Sequence, residues 1–270
     1  MKTKILAILS VLLTSLFLAS CLTTATNAGS VGADRKQILL VSEAEMEQSA
    51  KESYAEVLEE AAKAGTLNKN AATVKRVQNI ADKLIAQTGT FRSDAPGWNW
   101  QVNVISDKTV NAWCMPGGKI VVYTGIIDTL KLTDGELAAV MGHEIAHALK
   151  EHSRERASQA ALQNIGVAVA SSAFKLKKDG TELLSLAAEY TIALPFSRKH
   201  ETEADHMGTE LMARAGYDPN EAVNVWKKMA ALSTSQPPEI LSTHPSHETR
   251  IKDLQSTAKT VYPLYEAAKK

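Results

Sequence analysis

The chain has 270 residues, 44% of them hydrophobic, with 30 basic side chains against 30 acidic ones. That length and composition place it among ordinary globular proteins able to bury a sizeable core. With no basic surplus it lacks the electrostatic footprint of a polyanion binder, which argues against nucleic acid as a partner.

In chain order, Lys2 and Lys4 form a short basic region ahead of the apolar run ILAILSVLLTSLFLAS, residues 5–20. The run is too short to span a bilayer comfortably and reads as a secretory signal peptide over residues 1–20. It ends in Leu18-Ala19-Ser20-Cys21, the form of a bacterial lipobox, in which the cysteine is lipidated and becomes the new first residue. The plainer alternative is an ordinary cleaved signal beside an incidental cysteine. A Cys21 carrying several acyl chains holds a membrane stably, where one chain would be marginal. Loss of Lys2 and Lys4 leaves 28 basic against 30 acidic groups, a slightly acidic mature chain. Cys114 is then the one remaining thiol, so no intrachain disulfide forms, and it reads as a small buried hydrophobe.

Residues 22–34, LTTATNAGSVGAD, are small and polar and read as a flexible tether. Residues 42–64, rich in Glu, Ala and Lys, read as a helix stopped by Gly65; a second covers 70–87 and stops at Gly89. In WNWQVNVIS, alternation puts Trp98, Trp100, Val102 and Val104 on one face of a half-buried strand. Pro116-Gly117-Gly118 is a turn and KIVVYTG a second strand. The rest is helix-dominated. AALQNIGVAVASSAF at 160–174 is the most apolar internal stretch; it is too short for a membrane span and reads as a core or interfacial helix.

The chemistry concentrates in HEIAH, His143 to His147. Thr133 and Glu136 have capping-box spacing, so a helix begins there and runs through both histidines. Four residues apart, His143 and His147 stack on one face and suit a zinc ion, while Glu144, one step round, reaches a water rather than the ion. Catalytic zinc usually takes three protein ligands. Ser153 stands where a metzincin has its third histidine, and His152, about 140° round the helix from His147, is expected to miss the ion. HETEAD, residues 200–205, is the best remaining donor. On a helix, Glu201 and Asp205 share one face, and His200, Glu203 and His206 form a rival one. Helical phase alone prefers neither set strongly.

GHEIAHALKEH, FSRKHETEADHMG, AGYDP and NAWCMPGGKIVVYTGI together resemble the zinc metallopeptidase family of CAAX prenyl proteases, Oma-type proteases and HtpX, in particular its bacterial lipoprotein branch. The resemblance covers roughly residues 45–257. It implies an α+β, helix-dominated zincin domain of the gluzincin type, with a small β-sheet next to the HExxH helix. It also implies one zinc ion per chain, held by His143, His147 and Glu201, with Glu144 and Asp205 as the catalytic carboxylates. Asp205 partners Glu201 in an ExxxD pattern and suits the task of holding the far ring N–H of a zinc histidine. On this reading His200 and Glu203 are solvated neighbours, and Arg198 either balances the acidic cluster or is a plain surface cation. His244, in THPSHETR, either contacts the zinc as a fourth, inactivating ligand or stabilises the oxyanion; the bland alternative is a helix-entry turn set by Pro245. His247 reads as a surface residue. The strand GKIVVYTG is a candidate to pair with an extended substrate.

The expected organisation is a signal peptide over 1–20, lipidated Cys21 and tether over 21–41, a metallopeptidase domain over 42–263, and a tail over 264–270. The expected function is a lipid-anchored zinc endopeptidase of the bacterial envelope that cleaves misfolded or misassembled envelope proteins. Leu22 rather than Asp after Cys21 points to the outer membrane, facing the periplasm. The alternative is a zinc-binding chaperone or assembly lipoprotein with little proteolysis.

Overall fold

The computed structural model describes residues 22–188, 194–232, 240, 244 and 248–270. The signal-peptide and lipobox readings of residues 1–21 fall outside these, as do Pro245 and His247.

Two short strands, β1 (Leu22–Thr23) and β2 (Gln37–Ile38), pair antiparallel ahead of helix α1 (Glu43–Lys63). Ser42 opens α1 with a capping box to Glu45, and Gly65 follows it at φ +66. Helix α2 (Ala71–Ile85) buries Val77, Ile80, Ala81 and Leu84, one stripe at helical spacing. Strands β3 (Gln101–Ile105), β4 (Ala112–Met115) and β5 (Lys119–Tyr123) form a sheet in the order β3-β5-β4. β3 runs parallel to β5, and β4 antiparallel. The turn joining β4 to β5 uses Gly117 and Gly118 at φ +72 and +77; a Cβ on Gly118 would lie 2.6 Å from the Trp100 ring. Trp98 and Trp100 stack at 5.4 Å just before β3 rather than within it.

Next come α3 (Thr124–Leu130), α4 (Asp134–Leu149), α5 (His152–Ala173), α6 (Lys178–Ala188), α7 (Leu194–Arg214), α8 (Asn220–Leu232) and α9 (Glu248–Ala268). A capping box between Thr133 and Glu136 starts α4, and every residue from Glu136 to Leu149 is buried. Helix α4 packs on α7, α8 and β4, and α9 packs on α7 and α8. Ile145, Leu149, Met207 and Leu211 fill the space between α4 and α7. The fold is α+β and helix-dominated, with the small sheet beside the HExxH helix. Among the described residues no helix is long and apolar enough to cross a membrane.

Four sequence expectations change. Residues 22–41 are not a free tether. Asn27 N–H donates to Phe91 O and Ser30 N–H to Glu210, Thr26 and Ala33 are buried, and the fully buried Lys150 ammonium donates to Thr26 Oγ1, Ala33 O and Arg35 O. Small polar residues saturate these hydrogen bonds as readily as they would solvate a loop. Second, β5, the proposed substrate partner, is the central strand and has both edges occupied. The outer side of β3 meets residues 66–68, through Asn68 N–H to Val104 O and Ser106 N–H to Thr66 O, whereas β4 pairs only with β5 among the described strands. Third, the sheet holds three strands rather than the two expected, with Ala112–Met115 as the addition. Fourth, α9 runs through Pro263 to Ala268, so helix crosses the expected domain boundary at 263.

Candidate metal centre

The capping box sets the phase of α4, and that phase brings the Nε2 atoms of His143 and His147 to 3.1 Å from each other. Helix α7 delivers Glu201 against them because two glycines let the helices touch. A Cβ on Gly142 would sit 2.9 Å from Gly208 O, and one on Gly208 would sit 2.6 Å from His143 N. Glu201 Oε2 lies 3.4 Å from His143 Nε2, and its Oε1 lies 3.4 Å from His147 Nε2. His244 closes the group, its Nδ1 at 3.1 Å from His143 Nε2 and 2.8 Å from Glu201 Oε2. All four side chains are buried.

This set fits zinc. Four ligand atoms around an ion at about 2.1 Å stand about 3.4 Å apart, close to the 2.8–3.4 Å separations here. Glu201 Oε1 and Glu144 Oε1 are buried with no hydrogen-bond donor. Such orphaned acceptors call for a group outside the protein's own inventory. Burial also drives His147 well below the ordinary histidine value, keeping its ring neutral as a ligand must be. Burial works against Glu201, yet the three histidines draw its carboxyl far below the usual carboxylate range.

Each zinc-side histidine has a partner at its far nitrogen. His143 Nδ1 meets Asp205 Oδ1 at 2.9 Å. Asp205 is itself gripped by Arg250, Nε to Oδ2 at 2.5 Å and Nη2 to Oδ1 at 2.8 Å. Arg250 also reaches Glu201 Oε2 at 3.2 Å and lies 3.3 Å over the Trp226 ring. Burial opposes ionisation of Asp205, but Arg250 and His143 hold its pKa below the ordinary aspartate value. Burial likewise opposes protonation of His143, while Asp205 and Glu201 raise its pKa to about 9, so an ion taken up there would displace a proton from this ring. His147 Nδ1 meets His152 Nδ1 at 2.8 Å, and His152 Nε2 meets Glu203 Oε2 at 3.1 Å. A His147 bound through Nε2 donates from Nδ1 to His152, which donates in turn to Glu203.

His152 thus lies outside the four-residue group but holds the ring of His147, which belongs to it. Glu203 and His200 are not solvated. Arg35 pairs with both Glu203 and Glu155, and the fully buried His200 lies 3.0 Å from Glu155 Oε2. His206, the third member of the rival face, meets Asp253 at 2.7 Å. Arg198 is exposed; Arg250, in the first turn of α9, is the cation that balances the cluster. Sequence reasoning missed Arg250, Arg35 and the role of His152, and the one signal for Arg250 was its place in the THPSHETR segment. Cys114 is buried on β4, where burial, with Glu144 adding, pushes its thiol up and makes it a poor nucleophile. Burial also raises the Glu144 carboxyl above its usual value. His244 Nε2 lies 3.5 Å from Glu144 Oε1.

An HExxH helix completed by a glutamate from a second helix defines a gluzincin-type metallopeptidase domain. The chain belongs to peptidase family M48, whose family model matches residues 71–258. It is similar to the mitochondrial metalloendopeptidase OMA1 of Schizosaccharomyces pombe, 37% identical over 185 residues, covering 68% of this chain and 52% of that protein. The human metalloendopeptidase OMA1 is 35% identical over 176 residues, 60% of this chain and 33% of that one. A putative beta-barrel assembly-enhancing protease of Vibrio cholerae is 28% identical over 197 residues, 70% of this chain and 40% of that one. The chain therefore spans about half or less of the length of these relatives.

Proposed function

We propose that the chain is a zinc-dependent endopeptidase, held in a bacterial envelope by a lipidated Cys21, that hydrolyses misfolded or misassembled envelope proteins. The observation that carries the reading is the convergence of His143, His147 and Glu201 with an unpartnered Glu144 oxygen beside them. Zinc held there supplies a Lewis acid that polarises a peptide carbonyl and lowers the pKa of a water to about 7. Glu144 takes the proton of the attacking water and passes it to the departing amine; burial, by raising its pKa, suits it to both tasks. Asp205 and His152 hold the two ring tautomers. An extended substrate finds its partner in the outer edge of β4, which no described strand covers and which packs beside α4, rather than in β5. The envelope setting rests on residues 1–21 and on the bacterial relatives' printed names; the OMA1 relatives are mitochondrial by theirs.

The test compares wild type with Glu144→Gln on an unfolded protein substrate, with and without chelator. Wild type is expected to cleave it, the variant to lose on the order of 10²–10⁴ in rate, and chelator to abolish cleavage. Equal cleavage by both forms sinks the peptidase. Zinc well below one ion per chain sinks the site. The intact mass of the native protein, beginning at an acylated Cys21, checks the anchor.

One observation favours a second reading, a zinc-binding assembly lipoprotein with little proteolysis. His244 joins His143, His147 and Glu201 as a fourth candidate ligand, and a zinc held by all four would keep no position for water. His244→Ala separates the cases: faster proteolysis means His244 is a gate, slower means it serves the reaction, and no change removes both roles.

A further inference from the structure

The hairpin of α5 and α6 is built the wrong way round for water. In α5 the buried residues are His152, Glu155 and Ser158, all polar and all at its inner end. Beyond them, Gln159–Phe174 contains no charged residue, yet Ile165, Val169 and Phe174 are 61%, 63% and 76% exposed. Helix α6 buries none of its residues and turns Leu183 and Leu186 outward at 67% and 52%. Large apolar side chains grouped this way mark a contact surface rather than ordinary surface scatter.

Three further features say what the surface meets. The tip joining the helices reads Phe174-Lys175-Leu176-Lys177-Lys178, every residue exposed. An aromatic ring interleaved with lysines matches a bilayer interface with anionic headgroups. Lys178 lies near Glu182 at 3.8 Å, which leaves Lys175 and Lys177 to carry the tip's positive character. Second, a groove of about 660 Å³ runs between the hairpin and the β1–β2 pair, and Leu22 lines it with Ile38, Leu162, Val167, Ala170 and Leu184. Leu22 follows Cys21 directly in the sequence, so an acylated Cys21 is bonded to a residue that lines this groove. Third, neither helix is long and apolar enough to cross a bilayer, so the hairpin belongs on a membrane rather than through it.

We propose that the α5–α6 hairpin is a membrane-docking surface, lying on an anionic phospholipid bilayer beside the lipidated Cys21. This rests on the anchor assigned under the proposed function. The acyl chains supply the retention, and the hairpin supplies the orientation, with apolar side chains in the interface and Lys175 and Lys177 among the headgroups. Arg35 lines the same groove and also holds Glu203, so the docked face and the metal centre share a residue.

The experiment places a tryptophan at the tip, Phe174→Trp, in the full acylated chain reconstituted on phosphatidylglycerol–phosphatidylethanolamine vesicles whose acyl chains are brominated. The expected result is blue-shifted emission quenched beyond that of the four native tryptophans, weaker on phosphatidylcholine vesicles. Adding Ile165→Asp, Val169→Asp and Leu183→Asp should abolish the extra quenching, while the chain still floats with the vesicles and retains its zinc. Water-like, unquenched emission from a chain that floats overturns the docking and leaves the anchor standing. A chain that neither floats nor shows acyl mass overturns the anchor and, with unquenched emission, the docking as well. Emission already blue-shifted without vesicles, and dependent on protein concentration, overturns the proposal in favour of a contact between copies of the chain.

Discussion

His152 lies five positions beyond His147, on the wrong side of the ideal helical wheel for a ligand, and it stands outside the His143, His147, Glu201 and His244 group, yet its ring meets His147. A break makes the difference. Glu151 takes a left-handed conformation at φ +54 and ends α4, so α5 starts on a new axis and swings His152 back onto His147. His152→Ala is expected to weaken zinc affinity by about 10–100-fold, measured by competition with a chromophoric chelator. Glu201→Ala should lose the metal. Glu203→Ala should retain one zinc per chain with an affinity between wild type and His152→Ala, because it acts one hydrogen bond further out. An affinity for Glu203→Ala below that of His152→Ala would break this chain of support. The HExxH pair was legible because four-residue spacing is a local property of one helix. His244 and Arg250 were only candidates or unseen, since nothing local ties either to His143.

At the scale of elements, the metal centre depends on how closely α4 and α7 approach. Gly142 and Gly208 face each other there, and no side chain fits between Gly208 and the His143 backbone. Gly208→Ala should force the helices apart and cost about 1–3 kcal/mol, the usual price of overpacking. The thermal midpoint should fall, and zinc affinity should fall with it, because Glu201 moves relative to both histidines. A variant that loses stability but keeps full zinc affinity would show that the crossing does not set the ligand geometry. The sheet shows what pattern alone misses at this scale. KIVVY announces a strand through its β-branched run, but a strand's sequence does not state whether it is central or edge. The short β4, Ala112–Met115, falls below the length at which alternation stands out, and among the described strands it pairs on one side alone.

Across the whole molecule, residues 22–41 tie the N-terminal segment to the metal centre. Gln37 donates to Lys150 O and to Glu155, while Arg35 bridges Glu155 and Glu203. Burial opposes ionisation of Glu155, but hydrogen bonds from Arg35, His200 and Gln37 hold its pKa at about 2 against an ordinary 4.5. With the folded value below the unfolded one, the stabilisation is complete above about pH 4.5 and is lost as pH falls towards 2, on the order of 2–3 kcal/mol in total. Glu155→Gln should flatten that acid limb. Urea midpoints of both proteins, taken in chelator to remove the zinc contribution, check it; parallel acid limbs would mean that Glu155 is not the group responsible. The small polar composition of 22–34 suggested a leash because composition reports what a segment can do in water, not which buried donors it meets.

What the sequence determined by itself was local: the capped helix, the two histidines on one face with Glu144 beside them, the helical phase pairing Glu201 with Asp205, and the helix-dominated class. These follow from spacings of three and four residues, which the backbone enforces without help from the rest of the chain. What only the tertiary structure decided was which face of HETEAD meets α4, where His152, His244 and Arg250 end up, which strand lies at the centre of the sheet, and that the presumed tether is packed. Each of these depends on contacts between segments distant in the chain, set by glycine-lined crossings and buried charge pairs that leave no periodic trace in a single sequence.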